Sequence, residues 1–231
     1  MPYLKLTDDA AELYLGTEGV ELDEANPENR FQQAWLEQVT GLIDEAIAAR
    51  KPLIVSATGK FFSNGLDTDY VFANAGALPA YLDSVHQLYA KVLTVPAPVI
   101  VAVNGHAFGA GAMLALCADH RVMRSDRGFF SLPEAALNMP FTRGMAALVR
   151  TRMPDASATE AMLTSRRYGG ADAVAAGIVD EAVAADALLE RARDVARERA
   201  SLVGDNQAAI KRGLRLPLLE DLNTPTPVTL L

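Results

Sequence analysis

Residues 97–118 have the sequence APVIVAVNGHAFGAGAMLALCA, which is mostly apolar and contains three glycines. The stretch is long enough for a membrane span, but a proline, an asparagine and a histidine interrupt it. Its pattern instead predicts a buried strand over 99–103, a glycine turn over 105–111 and a buried helix over 112–118. A strand, a sharp turn and a helix in this order are typical of α/β folds.

The same alternation of strands and helices continues on both sides of this stretch. The predicted helices cover residues 30–50, 79–93, 144–152, 158–163, 171–176 and 187–202. The predicted strands cover residues 3–6, 12–16, 53–57, 121–123 and 129–131. A glycine-rich loop is predicted over 59–67, and an irregular tail with three prolines from Leu216. We therefore predict an α/β core with a largely parallel sheet in residues 1–185, and a helical C-terminal region with an irregular tail in residues 186–231.

The composition excludes several classes of protein and of partner. The chain has 231 residues, of which 50% are hydrophobic and 22% charged, so it is long enough and apolar enough for a sizeable core. Its net charge of -8 and the lack of a basic run argue against binding nucleic acid or an anionic membrane. One cysteine and three scattered histidines predict neither a disulfide framework nor a metal site. The first residues lack a signal-peptide core, which favours a cytoplasmic location.

Two glycine segments are candidates for presenting backbone amides to a ligand. The first, KFFSNGLD over 60–67, contains Gly65, which allows a sharp turn and leaves the following amides pointing outward. The second, NGHAFGAG over 104–111, opens a helix whose free N-terminal amides favour an anion. No Gly-Lys-Ser/Thr follows, so the second segment is not a P-loop. An ordinary turn and close helix packing are the alternatives for the two segments.

A carboxylate follows the later strand. The sequence FFSLPEA over 129–135 places Glu134 after an apolar run and beside a proline. A carboxyl group in apolar surroundings has a raised pKa and becomes a usable general base. The alternative is a solvated glutamate in a loop.

In this order and spacing the three segments resemble one family, the crotonase superfamily of enoyl-CoA hydratases and isomerases. The segment ADAVAAGIVD over 171–180 is similar to a further motif of that family, so the resemblance extends from Tyr3 to Asp180. Residues 60–65 and 122–129 are especially similar to the short plant-type Δ3,Δ2-enoyl-CoA isomerases. The resemblance implies a spiral of ββα turns followed by helices that mediate a homotrimer or homohexamer. It also implies fatty acid metabolism and an acyl-CoA thioester substrate, without metal, flavin or nicotinamide.

The resemblance assigns catalytic roles to three residues. The backbone amides of Leu66 and Ala110 would hold the thioester oxygen in an oxyanion hole, and Glu134 would move the proton. The hydratases of the family carry a first glutamate at the position of Met113, and methionine cannot activate water. We therefore expect isomerisation of a double bond rather than hydration. Hydration, thioester hydrolysis, decarboxylation and a non-catalytic CoA-binding subunit are the alternatives.

Other residues of these segments receive lesser roles. The expected contacts with the coenzyme are Lys60, Phe62, Asn64, Gly65 and Gly109. Among them, Asn64 is either a turn residue or a pocket residue.

The remaining polar and sulfur side chains of these segments are expected to be structural. Asp67 is predicted to cap a helix, and Cys117 to be a buried packing residue of a helix. His106 is predicted to be a packing or surface residue.

Overall fold

Strands and helices alternate along residues 1–230, which the computed structural model describes. The strands are β1 (Tyr3–Leu6), β2 (Ala11–Tyr14), β3 (Leu53–Ser56), β4 (Phe61–Ser63), β5 (Val99–Val103), β6 (His106–Phe108), β7 (His120–Arg124), β8 (Phe130–Ser131) and β9 (Glu181–Val183). The helices are α1 (Gln33–Ala48), α2 (Thr68–Ala73), α3 (Leu78–Leu93), α4 (Ala110–Leu116), α5 (Arg143–Arg152), α6 (Asp155–Thr164), α7 (Gly170–Ala175), α8 (Leu188–Arg199), α9 (Asp205–Leu214) and α10 (Leu216–Leu222).

The strands form two sheets, and from β3 onward successive strands go alternately to one and the other. The larger sheet has the order β1-β2-β3-β5-β7-β9, and the smaller has the order β4-β6-β8. Only the β1–β2 pair of the larger sheet is antiparallel, which confirms the prediction of a largely parallel sheet. From β3 onward, each turn of the chain adds one strand to each sheet. This is the ββα spiral that the sequence resemblance predicts.

The stretch 97–118 lies at the centre of this spiral. It forms β5, whose five residues are all buried, then β6 and α4. Parallel strands covered on both faces are apolar throughout, which accounts for the resemblance to a membrane span. Within residues 1–230, no helix is both long and apolar enough to cross a bilayer.

The larger sheet is covered on both faces. On one face, side chains of α1, α3, α4 and α5 form the main core with the inward residues of the strands. On the other face, a smaller cluster packs Leu188, Ala192 and Val195 of α8 against Ile54 and Ile100. Helix α8, the first helix after the predicted core of residues 1–185, therefore helps to bury the larger sheet.

The prediction of an irregular tail from Leu216 is wrong over its first seven residues. These residues form α10, with Pro217 in the first turn and Leu218 and Leu222 buried. Proline is tolerated at the start of a helix because the amide it lacks has no partner there. The two buried leucines lie one helical turn apart, and this spacing indicates a helix despite the prolines.

Several short elements were not predicted. The loop predicted over 59–67 contains β4, and the glycine turn over 105–111 contains β6 and the start of α4. Helices α2 and α9 and strand β9 also lie outside the predicted elements. Strands of three residues carry almost no periodic signal, and their pairing with neighbouring turns is what defines them.

Candidate active site

One cavity brings together residues of all three predicted segments. Its apolar wall is formed by Leu78, Leu82, Leu137, Met139, Met145 and Leu230. Asn64, Leu66, Gly109, Ala110 and Glu134 lie in the same cavity. The first segment contains β4, the second contains β6, and Glu134 follows β8. Because these three strands are neighbours in the smaller sheet, their ends carry the three segments to one place.

The Leu66 amide is left free by its surroundings. On one side of it the Gly65 N–H donates to Ser63 Oγ at 3.1 Å, and on the other the Asp67 N–H donates to Tyr81 Oη at 3.1 Å. Among residues 1–230, the Leu66 N–H has no acceptor within hydrogen-bond distance. The amides beside it are thus held by side chains, and the amide that lines the cavity remains available as a donor.

The Ala110 amide is free because it lies in the first turn of α4. Gly109 precedes it with φ 50° and ψ −121°, and the Gly109 N–H donates to Ser131 O at 3.0 Å. The first amides of a helix have no acceptor within the helix. The part of the chain that the structure describes supplies none for Ala110 either. An alanine at this position thus retains the donor.

The two amide-bearing segments are in contact at Gly65. This glycine has φ +85°, and a Cβ atom built on it would lie 2.7 Å from Phe108 O and 3.1 Å from Ala110 N. Any side chain at position 65 would therefore both strain the backbone and crowd the second amide. Only glycine at position 65 therefore allows the two segments to pack together in this way.

The Glu134 carboxyl group lies beside these donors. A Cβ atom built on Gly109 would be 3.3 Å from Glu134 Oε1, so the carboxyl group packs against the turn that precedes Ala110. Its Oε2 atom is buried and has no hydrogen-bond partner among the described residues. Burial raises the pKa of this carboxyl group to about 7, and its own backbone N–H opposes that shift only in part. Near neutral pH the group is thus able both to accept and to donate a proton.

Met113 lies fully buried in α4 and is not part of the cavity wall. Its backbone N–H donates to Gly109 O at 3.0 Å and stabilises the start of the helix. The position at which the family's hydratases carry their first glutamate therefore holds a core side chain that does not line the cavity. Glu134 is the carboxylate that lines the cavity.

The residues predicted to contact the coenzyme fall into three groups. Asn64 and Gly109 line the cavity, and Gly65 lies behind it against Ala110 N. Asn64 is also held in the loop, because its Nδ2 donates to Glu28 Oε2 at 3.0 Å.

Phe62 and Lys60 do not line the cavity. Phe62 is fully buried in the main core, so the predicted contact of this residue with the coenzyme is wrong. Lys60 lies outside the cavity, with its Nζ atom 5.9 Å from the centre of the Phe61 ring.

Three predictions about structural residues are confirmed. Asp67 caps α2, its carboxylate accepting from the Tyr70 N–H at 3.3 Å. Cys117 is fully buried at the end of α4. His106 packs against Phe61 and Phe108 and lies away from the cavity.

Sequence reasoning missed the tyrosines that hold the two amide segments. Tyr89 Oη donates to Ala110 O at 2.8 Å from a fully buried position in α3. Tyr81 Oη, in the same helix, donates to Phe31 O at 2.6 Å while it accepts from the Asp67 amide. Both tyrosines lie far from the motifs in sequence, and only the apolar spacing of α3 indicates that they point inward.

This arrangement suits proton transfer next to a carbonyl group. Two free amides are able to stabilise negative charge that develops on a carbonyl oxygen. A carboxyl group with a pKa near 7 is able to remove a proton from the adjacent carbon. The apolar remainder of the cavity suits a hydrocarbon chain and excludes water.

Comparisons with known proteins agree with this description. The family model described as "Enoyl-CoA hydratase/isomerase" matches residues 17–224. The chain is 34% identical over 166 residues to the peroxisomal enoyl-CoA delta isomerase 2 of Arabidopsis thaliana, covering 67% of this chain and 69% of that protein. It is also 34% identical over 150 residues to carnitinyl-CoA dehydratase of Escherichia coli K12, covering 64% of this chain and 57% of that protein.

The fold is also similar to solved structures of enoyl-CoA hydratases. The crystal structure of a probable enoyl-CoA hydratase from Mycobacterium tuberculosis superposes with a TM-score of 0.87 and 25% identity. The superposition covers 97% of this chain and 92% of that one, so it includes the C-terminal helices. The match of the family model to most of the chain, together with these relatives, shows that the chain belongs to the enoyl-CoA hydratase/isomerase family.

Proposed function

We propose that this protein is a Δ3,Δ2-enoyl-CoA isomerase in which Glu134 is the only catalytic carboxylate. One observation supports this most: a single buried carboxyl group with a raised pKa lies beside two free amides in an apolar cavity. The similarity to plant enoyl-CoA delta isomerases supports the same reaction.

In the proposed first step, Glu134 removes a proton from C2 of a 3-enoyl-CoA thioester. The electrons of that C–H bond move toward the thioester carbonyl and give a dienolate. The Leu66 and Ala110 amides donate to the oxygen on which negative charge develops. One such donor is worth about 10²–10³-fold in rate in other enzymes.

In the second step, the same carboxyl group returns the proton to C4. The double bond then lies between C2 and C3, and Glu134 is again a carboxylate. No atom is gained or lost, and the steps require no cofactor beyond the coenzyme A of the substrate. Because a single base shuttles the proton, the group must give it up as readily as it takes it, which a pKa near 7 allows.

Hydration would require a second group to activate water. The position where the family's hydratases carry their first glutamate is Met113, which is buried in α4. A purely structural subunit would have no use for a carboxyl group whose Oε2 atom is buried without a hydrogen-bond partner, which is costly to the folded state. Isomerisation is therefore the reaction that the described groups support best.

The test compares the two reactions in one preparation. We expect kcat/KM for isomerisation of a 3-enoyl-CoA to exceed that for hydration of a 2-enoyl-CoA. The variant Glu134→Gln should lower kcat of isomerisation by about 10²–10⁴-fold with a modest change in KM, because it removes the base and preserves the shape. Faster hydration than isomerisation in the wild type, or full activity in the variant, would show that the proposal is wrong.

A further inference from the structure

The C-terminal segment 226–230 reaches back to the candidate active site. Leu230 is partly buried, packs against the main core and forms part of the cavity wall. Its N–H donates to Pro227 O at 3.2 Å, so the segment turns at this point. In the same turn Val228 is 87% exposed. One of the two aliphatic side chains thus enters the cavity and the other lies in solvent.

A hydrogen bond fixes this segment to α3. Thr226 is 7% exposed, and its N–H donates to Asp83 Oδ1 at 2.9 Å. Asp83 lies next to Leu82, which is in the cavity wall. Asp83, which anchors the segment, is therefore adjacent in sequence to a residue that lines the cavity.

The side chain of His86 lies between Asp83 and the start of α5. Asp83 Oδ1 lies 3.9 Å from His86 Nδ1, and His86 Nε2 is 2.7 Å from Thr142 Oγ1. Thr142 caps α5 and lines the cavity. The His86–Thr142 hydrogen bond thus joins α3 to α5, and the Thr226–Asp83 hydrogen bond holds the segment to α3.

With the segment in this position the cavity is small. Its free volume is about 70 Å³. Pockets that bury drug-sized ligands typically hold about 300–1,000 Å³. A long hydrocarbon chain would have to displace part of the wall. Leu230 belongs to a wall segment that the Thr226–Asp83 hydrogen bond anchors.

We propose that Leu230 is a specificity-determining residue that restricts the cavity to short acyl chains, and that the Thr226–Asp83 hydrogen bond holds it in place. This inference rests on the proposed function, since it takes an acyl thioester as the ligand. The control of acyl-chain length would thus depend on Leu230, which lies more than 90 positions beyond Glu134 in the sequence.

The first experiment measures affinity, so that it is independent of turnover. Butyryl-, octanoyl- and dodecanoyl-CoA are titrated into wild type, Leu230→Ala and Val228→Ala by calorimetry. We expect Leu230→Ala to bind dodecanoyl-CoA at least about tenfold more tightly than wild type, with butyryl-CoA changed little, because a few methylenes of pocket space alter affinity by that order. Val228→Ala should match the wild type, since this side chain is exposed.

The second experiment releases the anchor without touching the cavity. Asp83→Ala removes the acceptor of the Thr226 N–H, whereas Asp83→Asn retains an oxygen at that position. We expect Asp83→Ala to shift the chain-length preference in the same direction as Leu230→Ala, and Asp83→Asn to stay near the wild type. The chain-length dependence of kcat/KM for 3-enoyl-CoA isomerisation is then measured on the same variants.

The outcomes separate this inference from the proposed function. If the chain-length profile of Leu230→Ala equals that of Val228→Ala, the inference is overturned, whether or not the protein isomerises 3-enoyl-CoA. If affinity shifts as expected but no isomerisation is detected in wild type, the inference stands as acyl-chain selection and the proposed reaction fails.

Discussion

The protonation of the Glu134 carboxyl group sets the pH dependence that we expect for activity. Burial raises its pKa from 4.5 to about 7, and only the deprotonated group is able to remove the C2 proton. We expect kcat/KM to fall about tenfold per pH unit below pH 7 and to level off above it. A pH profile of kcat/KM measures this, and a profile that stays flat down to pH 5 would contradict it.

The same shift predicts how stability changes with pH. Because the pKa of Glu134 is higher in the folded state than its ordinary value of 4.5, the fold favours the protonated group. The stabilisation that the protonated Glu134 gives to the folded state is fully present below about pH 4.5 and is lost as the pH rises through about 7. The difference in unfolding free energy between Glu134→Gln and wild type should therefore increase in favour of the variant from pH 5 to pH 8. Urea unfolding at both pH values measures it.

Gly65 is the residue at which the backbone leaves no room for a side chain. It has φ +85°, and a Cβ atom there would crowd Ala110 N. We expect Gly65→Ala to lower kcat by about 10²–10³-fold, the loss seen when one oxyanion donor is removed. The matched control is Gly213→Ala in α9, where a Cβ atom would meet nothing within 4 Å. Equal activity of the two variants would mean that the contact at Gly65 is not needed.

At the scale of elements, Asp119 joins the C-terminal helices to the larger sheet. Its carboxylate accepts from the Val99 N–H at 2.8 Å and from Arg215 Nη2 at 2.7 Å, and it forms an ion pair with Lys211. The Lys211 and Arg215 side chains are both about 4% exposed, so removing the carboxylate leaves two buried cations without their partner. The position of α9 therefore depends on one residue that follows α4.

We expect Asp119→Ala to lower the unfolding free energy by about 3–5 kcal/mol, as for other broken buried ion pairs. Asp119→Asn should cost less, because it retains an acceptor for the Val99 N–H. Chemical denaturation of the three proteins measures the difference. A loss below about 1 kcal/mol, the range of exposed ion pairs, would show that solvent already screens the cluster.

The elements also show where sequence reasoning succeeds and where it stops. Leu66, Ala110 and Glu134 were identified because each lies in a short motif beside a buried strand, and the spiral then brings the strand ends together. Tyr89 and Leu230 were not identified, because they reach the site through helix packing and a returning segment. Such contacts depend on the three-dimensional path of the chain, and no local pattern encodes them.

Errors at the element scale have the same physical origin. Phe62 was assigned to the ligand from its place in a motif, but alternate residues of a strand face opposite sides, and this one faces the core. The prolines of the tail from Leu216 predict irregular structure, although one of them, Pro217, lies in the first turn of α10, where a helix tolerates proline. In both cases the position of the residue within its element, and not its type alone, determines its environment.

At the scale of the whole molecule, the C-terminal helices leave apolar side chains in solvent. Ile210 and Leu214 lie one turn apart on α9, and they are 56% and 71% exposed. Leu202 and Leu216, which flank that helix, are 51% and 55% exposed. An apolar stripe of this kind is typical of a surface that another chain covers. Together with the family resemblance, it supports our prediction of a homotrimer or a homohexamer.

We expect Ile210→Glu to shift the protein toward monomer in sedimentation velocity at micromolar concentration. The control is Ala209→Glu, which adds the same charge to the neighbouring exposed position of α9. A wild type that sediments as a monomer would contradict the assembly. Equal sedimentation of the two variants and the wild type would place the interface elsewhere.

The alternation of strands between the two sheets also has a consequence for synthesis on the ribosome. Each turn of the spiral pairs with the turn before it, so an emerging chain is able to build its sheets in the order in which it is made. The groups proposed to carry the reaction are all present once Glu134 has left the exit tunnel. Leu230 follows about 96 residues later, at about 5–20 residues per second. For several seconds, the nascent protein therefore carries its reactive groups in a cavity whose final wall does not yet exist.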